Sequence, residues 1–235
     1  MKFVLTRPIE DSKRIKRSLE NQGYKVIVNP LLEVKYKTNI FNTDKYEVLI
    51  FTSRHSIRYL EEKNIFLKNK IICACGKSTF LEAKKFGTEN IYILYSNVSE
   101  LEEKFANING IKEKKILYLR GREITSDLAS IFKDDGINID DEIVYEANEI
   151  NEFNNEFIKE IDRGQHLAIL FYSIRTAQVY LQTMDKYNLS NKTSIIIAYC
   201  ISENVANFLS KFGIEARYAL DTSDDAILQL ITNEH

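Results

Sequence analysis

Lys2-Phe-Val-Leu-Thr-Arg7, closing on Gly23, recurs as Lys115-Ile-Leu-Tyr-Leu-Arg120, closing on Gly136, so both landmarks shift by one interval. A second pair repeats the logic. Phe51-Thr-Ser53 with an Arg next returns as Phe171-Tyr-Ser173 with an Arg two places on. Further along, Ala74-Cys-Gly-Lys-Ser-Thr79 running to Lys85-Phe-Gly87 resembles Ala198-Tyr-Cys-Ile-Ser-Glu203 running to Lys211-Phe-Gly213. A repeat of roughly 110 to 126 residues is too long for a solenoid unit and has the size of a small α/β domain. Two similar lobes are expected, with a ligand between them, because clefts between lobes are common binding sites.

From these strings the alternation extends to the whole chain. Short runs rich in Ile, Val, Phe and Tyr alternate with amphipathic stretches, the pattern of βα units in parallel sheets. Ten strands are expected: 3–6, 25–29, 48–52, 71–75, 91–95, 116–119, 138–145, 167–172, 194–199 and 216–220. Ile15/Leu19, Leu128/Ile131/Phe132, Ala177/Tyr180/Met184 and Val205/Phe208/Leu209/Phe212 each give one buried helical stripe. Gly23, Gly87, Gly136 and Gly213 follow such stripes, where a left-handed cap is wanted. The fold class is therefore α/β, with two similar doubly wound parallel five-stranded domains. Two segments break the rhythm: the polar 33–45, and 146–165, which carries Phe153, Phe157, Ile158 and Ile161 at helical spacing. Sequential halves and exchanged halves both fit the periodicity. Exchange needs two chain crossings, near 33–45 and 141–150, and the odd segments favour it.

Bulk properties narrow the function. At 235 residues the chain can bury two modest cores, and its 44% hydrophobic and 28% charged residues are ordinary for a soluble protein. A net charge of -2 gives no reason to expect nucleic-acid binding, so any anion site must be built locally. No apolar run approaches a membrane span, and the start lacks the apolar stretch of a signal peptide. Cys73, Cys75 and Cys200 sit in apolar runs and read as buried thiols in a cytoplasmic protein. With scattered His55, His166 and His235, no metal site is expected. Gly76-Lys-Ser-Thr79 resembles half a phosphate loop, but no glycine stands in Ile71-Ile-Cys-Ala-Cys75 before it.

Ligands of open α/β sheets bind at the carboxyl ends of strands. Arg7, Arg54, Arg120 and Arg175 stand there at matching points of the repeats and suit a polyanionic ligand. The same ends carry Thr6, Thr52, Ser53, Ser56, Ser78, Thr79, Ser173, Thr176, Ser202 and Asn204. Helix capping accounts for most of these hydroxyls. Their clustering also frames backbone N–H groups that attract carboxylates. Tyr145 ends a strand at the second crossing, where a phenol can give a proton to a departing hydroxyl.

Val4-Leu-Thr-Arg-Pro8 with Gly23-Tyr-Lys-Val26 and Pro30-Leu-Leu32, Ile50-Phe-Thr-Ser53, Cys75-Gly-Lys-Ser-Thr79, Leu119-Arg-Gly121 with Asp127-Leu128, Val144-Tyr145 and Leu170-Phe-Tyr-Ser173 carry a resemblance in their order and spacing. Together they make the chain similar to the uroporphyrinogen-III synthase family over nearly its whole length. The resemblance implies the exchanged arrangement: residues 1–34 with 146–235 in one domain, 38–142 in the other, and a two-strand linker. It implies a cofactor-free lyase that cyclises hydroxymethylbilane to uroporphyrinogen III with inversion of ring D and loss of water. That substrate, with eight carboxylates, would be the partner, handed over by the preceding synthase or free, and the chain would act as a monomer. Catalysis would fall on Tyr145. Substrate binding would fall on Arg7, Thr52, Ser53, Ser78, Thr79, Arg120, Ser173, Ser202, Asn204 and Val205. At Ile201-Ser-Glu-Asn-Val205 the family's common Gly-Pro-Thr loop is replaced, which leaves backbone donors there but not the usual side chains. The competing expectation is a non-catalytic two-lobed binder of tetrapyrroles or other polycarboxylates.

Overall fold

The central strands are nearly uninterrupted apolar runs, and the structure, a computed structural model describing residues 1–234, buries them on both faces. Contacts divide the chain into two compact units, Met1–Glu33 with Asn148–His235, and Val34–Ala147.

In the first unit a parallel five-stranded sheet has the order β11-β10-β9-β1-β2, built from β1 (Lys2–Leu5), β2 (Lys25–Val28), β9 (Leu167–Phe171), β10 (Ile196–Cys200) and β11 (Glu215–Tyr218). Side chains alternate between its two faces, as a two-residue period demands. Leu167, Ile169 and Phe171 of β9 join one core with Val4, whereas Ala168 and Leu170 join the other with Phe3 and Leu5. Helix α1 (Ile9–Asn21) lays Ile15 and Leu19 on the second core. It is stopped at Gly23, whose φ of 86° an L side chain rarely adopts. Gly136 does the same work in the repeat, with φ of 76°. Helices α6 (Asn155–Asp162), α7 (Ile174–Lys186), α8 (Glu203–Ser210) and α9 (Asp224–Glu234) complete this unit.

The second unit holds a sheet of order β3-β8-β7-β4-β5-β6. Its strands are β3 (Leu32–Tyr36), β4 (Val48–Phe51), β5 (Ile71–Cys75), β6 (Ile91–Tyr95), β7 (Ile116–Gly121) and β8 (Ile139–Glu149), with helices α2 (Arg54–Glu62), α3 (Lys77–Ala83), α4 (Val98–Phe105) and α5 (Leu128–Asp134). Pairs from β8 through β6 are parallel. Again the faces alternate: Val48, Ile50, Ile116 and Tyr118 point to one core, Leu49, Phe51, Leu117 and Leu119 to the other.

The ten expected strands are present within a few residues of their expected bounds, and an eleventh is added. β3 starts at Leu32 and runs into the polar 33–45 segment. Leu32, Val34 and Tyr36 are half-buried while Glu33 and Lys35 are exposed, so Leu-Glu-Val-Lys-Tyr is a half-buried strand hidden by its polar surroundings. This sheet is thus six-stranded rather than five-stranded. β8 also runs to Glu149, well past the expected end at 145. The unit boundaries at 33/34 and 147/148 fall within β3 and β8. Among the described residues no helix is long and apolar enough to cross a membrane, and no group of three His, Cys, Asp or Glu side chains could hold a metal ion.

One charged cluster ties the end of β3 to β8 within the second unit. Glu146 accepts from Lys37 and, at 2.6 Å, from Arg122. The Arg122 guanidinium and then the Lys37 ammonium hold its carboxyl at about 2. An unfolded glutamate titrates near about 4.3, so the cluster's contribution is fully present above that pH. It is lost as pH falls towards about 2. Acid unfolding followed by circular dichroism should show Glu146→Gln with a shallower loss of stability between about pH 4.5 and 2, and lower stability at neutral pH.

Candidate functional site

Chain direction reverses between β4 and β7: the chain steps outward from β4 to β5 and β6, and from β7 to β8 on the other side. Such a switch point opens a crevice at the carboxyl ends of the strands. A cavity of about 180 Å³ lies there, lined by Thr52, Ser53, Tyr118, Gly121 and Tyr145, with Val98 and the 123–126 segment as its remaining wall.

Each of these side chains has a local cause. Thr52 and Ser53 follow directly on β4. Ser53 is the N-cap of α2, its hydroxyl accepting from the His55 N–H at 3.2 Å. The Thr52 hydroxyl lies 3.0 Å from the Tyr118 hydroxyl. Burial pushes the Tyr118 phenol up to about 12, offset in part by the Thr52 hydrogen bond. Tyr118 therefore stays protonated at any physiological pH. Tyr145 arrives by a bulge: Arg120 pairs with Ile143 but Gly121 pairs with Tyr145, so the register skips Val144. Bulges re-aim side chains beside functional sites. Arg122 N–H donates to the Tyr145 carbonyl at 3.0 Å, closing the ladder beyond. The His55 ring lies 5.3 Å from the Tyr145 ring at a 53° tilt, and the Tyr36 hydroxyl is 3.5 Å from His55 Nδ1.

The first unit has its own reversal, between β1 and β9. Thr6 donates to the Leu170 carbonyl at 2.6 Å. The Arg7 guanidinium stands 4.1 Å over the Tyr172 ring and 2.8 Å from Asp224. Ser173 caps α7, accepting from the Thr176 N–H at 3.1 Å with its hydroxyl 2.9 Å from that of Thr176. Ser202 is the N-cap of α8, yet its side chain makes no capping bond. Asn204 is exposed in the first turn, and Val205 packs into the core. A larger hollow of about 440 Å³ sits at the opposite, amino ends of β1 and β2. Lys2 there is 3.0 Å from Glu160, and α1 and α6 present carboxyl ends, whose dipoles disfavour the anions a polycarboxylate would bring. The switch points remain the better candidates.

Comparison with known proteins now adds the decisive observation. The profile described as uroporphyrinogen-III synthase HemD matches residues 13–229. The chain belongs to the uroporphyrinogen-III synthase family. Members of this family cyclise hydroxymethylbilane, a lyase-type reaction on a tetrapyrrole. A "Porphyrin biosynthesis protein HemD" of Ruminiclostridium josui is 23% identical over 97% of this chain. The chain spans about half of that relative's length, 48%. A "Putative uroporphyrinogen-III synthase" of Methanocaldococcus jannaschii is 25% identical over 92% of this chain and 91% of its own. In fold, the chain resembles the crystal structure of uroporphyrinogen-III synthetase from Helicobacter pylori, with a TM-score of 0.67, 22% identity, and 100% and 99% of the two chains covered. A mutant uroporphyrinogen III synthase from Thermus thermophilus gives 0.58 at 14% identity, covering 99% and 98%.

Of the expected site residues of this synthase-family chain, the cavity brings together Thr52, Ser53 and Tyr145. Ser78 is exposed and Thr79 buried on α3, and neither lines it. Arg120 departs from expectation. β7 continues to Gly121, so Arg120 lies inside the strand rather than after it. Its Nε and Nη2 both lie 2.7 Å from Asp141 Oδ2, and Nη1 donates to the Gly121 carbonyl at 3.1 Å. The guanidinium braces β7 against β8 and is absent from the cavity wall. Arg175 is likewise drawn to Glu149, at 3.3 Å.

Tyr118, Val98 and the 123–126 wall went unnoticed in the sequence. Tyr118 sits within the apolar run 116–119 and reads as core; only its hydroxyl, placed opposite Thr52 by the β4–β7 register, shows otherwise. Arg120→Ala is expected to lower stability by about 2 kcal/mol, the scale of charge-assisted hydrogen bonds lost from a partly buried pair. Its KM should stay within about twofold of wild type, because Asp141 and the Gly121 carbonyl already engage the guanidinium. Thermal melts and steady-state kinetics on the same preparation read both numbers.

Proposed function

We propose that this chain is itself a uroporphyrinogen-III synthase, closing hydroxymethylbilane with inversion of ring D, and that Tyr145 is its general acid. One observation carries the assignment: Tyr145 lines a small cavity at the β4/β7 switch point, beside a second tyrosine that burial keeps protonated. At about 180 Å³ the cavity is smaller than the 300–1,000 Å³ of sites that engulf a drug-sized ligand. It takes one end of a linear tetrapyrrole, and the hydroxymethyl end is the one that reacts.

The chemistry then runs as an acid step followed by a guided closure. Tyr145 gives its proton to the terminal hydroxyl, the carbon–oxygen bond breaks, and water leaves an azafulvenium cation. Tyr118, coupled to Thr52, holds its own proton and offers a neutral hydrogen bond near the departing oxygen. Attack by the far ring through its substituted carbon gives a spiro intermediate. Bond migration inverts ring D, and the final proton lost on aromatisation returns to the Tyr145 phenolate. Atoms balance with one water released. Holding the chain ends in reactive geometry supplies most of the acceleration and sets which carbon closes. Within the first unit, Arg7 and the backbone donors framed by Ser173, Ser202, Asn204 and Val205 suit carboxylates.

Tyr145→Phe keeps the ring and its packing and removes only the proton. Turnover of freshly generated hydroxymethylbilane should fall by about 10²-fold with KM little changed, the usual loss of one general acid. Thr52→Ala and Ser173→Ala, compared at matched thermal stability, should fall less. A phenylalanine variant that turns over like wild type would give the acid role to another group.

A further inference from the structure

Gly121 is the only glycine among the eight whose φ is not positive, so conformational freedom is not why it is there. Space is. A methyl group added at Gly121 would lie 2.7 Å from Cζ of Tyr145 and 2.9 Å from both Cε2 and the hydroxyl oxygen. Carbon atoms in contact prefer about 3.5–4.0 Å, so any side chain at 121 drives into the phenol end of the ring. The contact is built into the backbone. The bulge opposes Gly121 to Tyr145, the Arg120 guanidinium holds the Gly121 carbonyl, and the Arg122 N–H holds the Tyr145 carbonyl. His55 stands by the same ring, so the phenol has the Gly121 backbone and an imidazole for neighbours.

We propose that Gly121 is a positioning residue for the acid: its missing side chain sets where the Tyr145 hydroxyl stands in the cavity. The claim rests on the reading of Tyr145 as proton donor and adds a second residue to that step. Gly121 touches no reacting atom. It acts through the phenol, which an alanine would displace or tilt while leaving strand pairing intact, because alanine tolerates this backbone conformation.

The test is a double-mutant cycle with kinetics, melting temperature and a crystal structure for each variant. Gly121→Ala should lower kcat by about 10²-fold, the scale of an ångström's misplacement, with KM within about twofold. Adding Gly121→Ala to Tyr145→Phe should cost nothing further, since no proton is left to misplace. In the Gly121→Ala crystal structure the Tyr145 hydroxyl should have moved by about 1 Å, which the 2.7 Å clash requires. Wild-type kcat in Gly121→Ala overturns the proposal, as does an equal loss in both backgrounds, which would mean that Gly121 acts on something other than the acid. The crystal structure keeps the two readings apart. If Tyr145→Phe proves fully active, the acid assignment falls on kinetics alone, and an unmoved phenol beside the alanine methyl overturns the positioning claim on geometry alone.

Discussion

Pairing of β4 with β7 sets Val48, Leu49, Ile50 and Phe51 beside Ile116, Leu117, Tyr118 and Leu119, and every one of these side chains is buried. Burying such a side chain contributes about 1.5–3 kcal/mol, so neither strand can surrender a face to polar chemistry. Function is forced to the ends of the strands. At that end Thr52 emerges from β4 and Gly121 from β7, and the reversal of chain direction leaves room between the loops that follow. The first unit obeys the same constraint with β1 and β9, where Thr6, Arg7, Tyr172 and Ser173 emerge together. Each unit thus has its own reversal of strand order, and the two are furnished differently. One has phenols and hydroxyls around a small cavity. The other has an arginine stacked on a tyrosine and held by an aspartate.

The first unit offers Arg7 with the amino ends of α7 and α8. The second offers two phenols beside the Thr52 hydroxyl. Tyr118 and Tyr145 are unlike despite sharing a wall. Tyr118 rises from the core with its hydroxyl tied to Thr52, whereas Tyr145 is swung in by a bulge from the neighbouring strand β8 and rests on the Gly121 backbone. Two arginines of the second unit are held by ion pairs: Arg120 joins β7 to β8, and Arg122 joins the following loop to Glu146.

Much of this could be read from the chain because its strands are buried on both faces. Runs such as Val48–Phe51 and Leu167–Phe171 have no other use, and the helical stripes between them admit only covering helices. β3 escaped notice because one of its faces meets solvent, which mixes Glu33 and Lys35 into an otherwise apolar alternation. The end of β7 lies beyond the expected 119 for a related reason: a strand's hydrogen bonds carry on past its last apolar residue when a bulge and an ion pair support them. The cavity was legible at Thr52 and Ser53, which follow a strand end, and at Tyr145, which lies inside β8 beside the bulge. Tyr118 could not be separated from core tyrosines, since its role depends on which strand pairs with β7. The purpose of Gly121 is set by a side chain that lies a bulge away on the neighbouring strand.

The central claim is that this chain steers closure of a linear tetrapyrrole towards the inverted isomer. The most direct measurement is the isomer composition of the product after hydroxymethylbilane is generated in the presence of the purified chain, oxidised to porphyrin and separated chromatographically. Predominant type III product, falling towards type I as the chain is diluted out, is the result the account predicts. Type I alone at every concentration, the outcome of unguided closure, would contradict it and leave a two-lobed binder of polycarboxylates in its place.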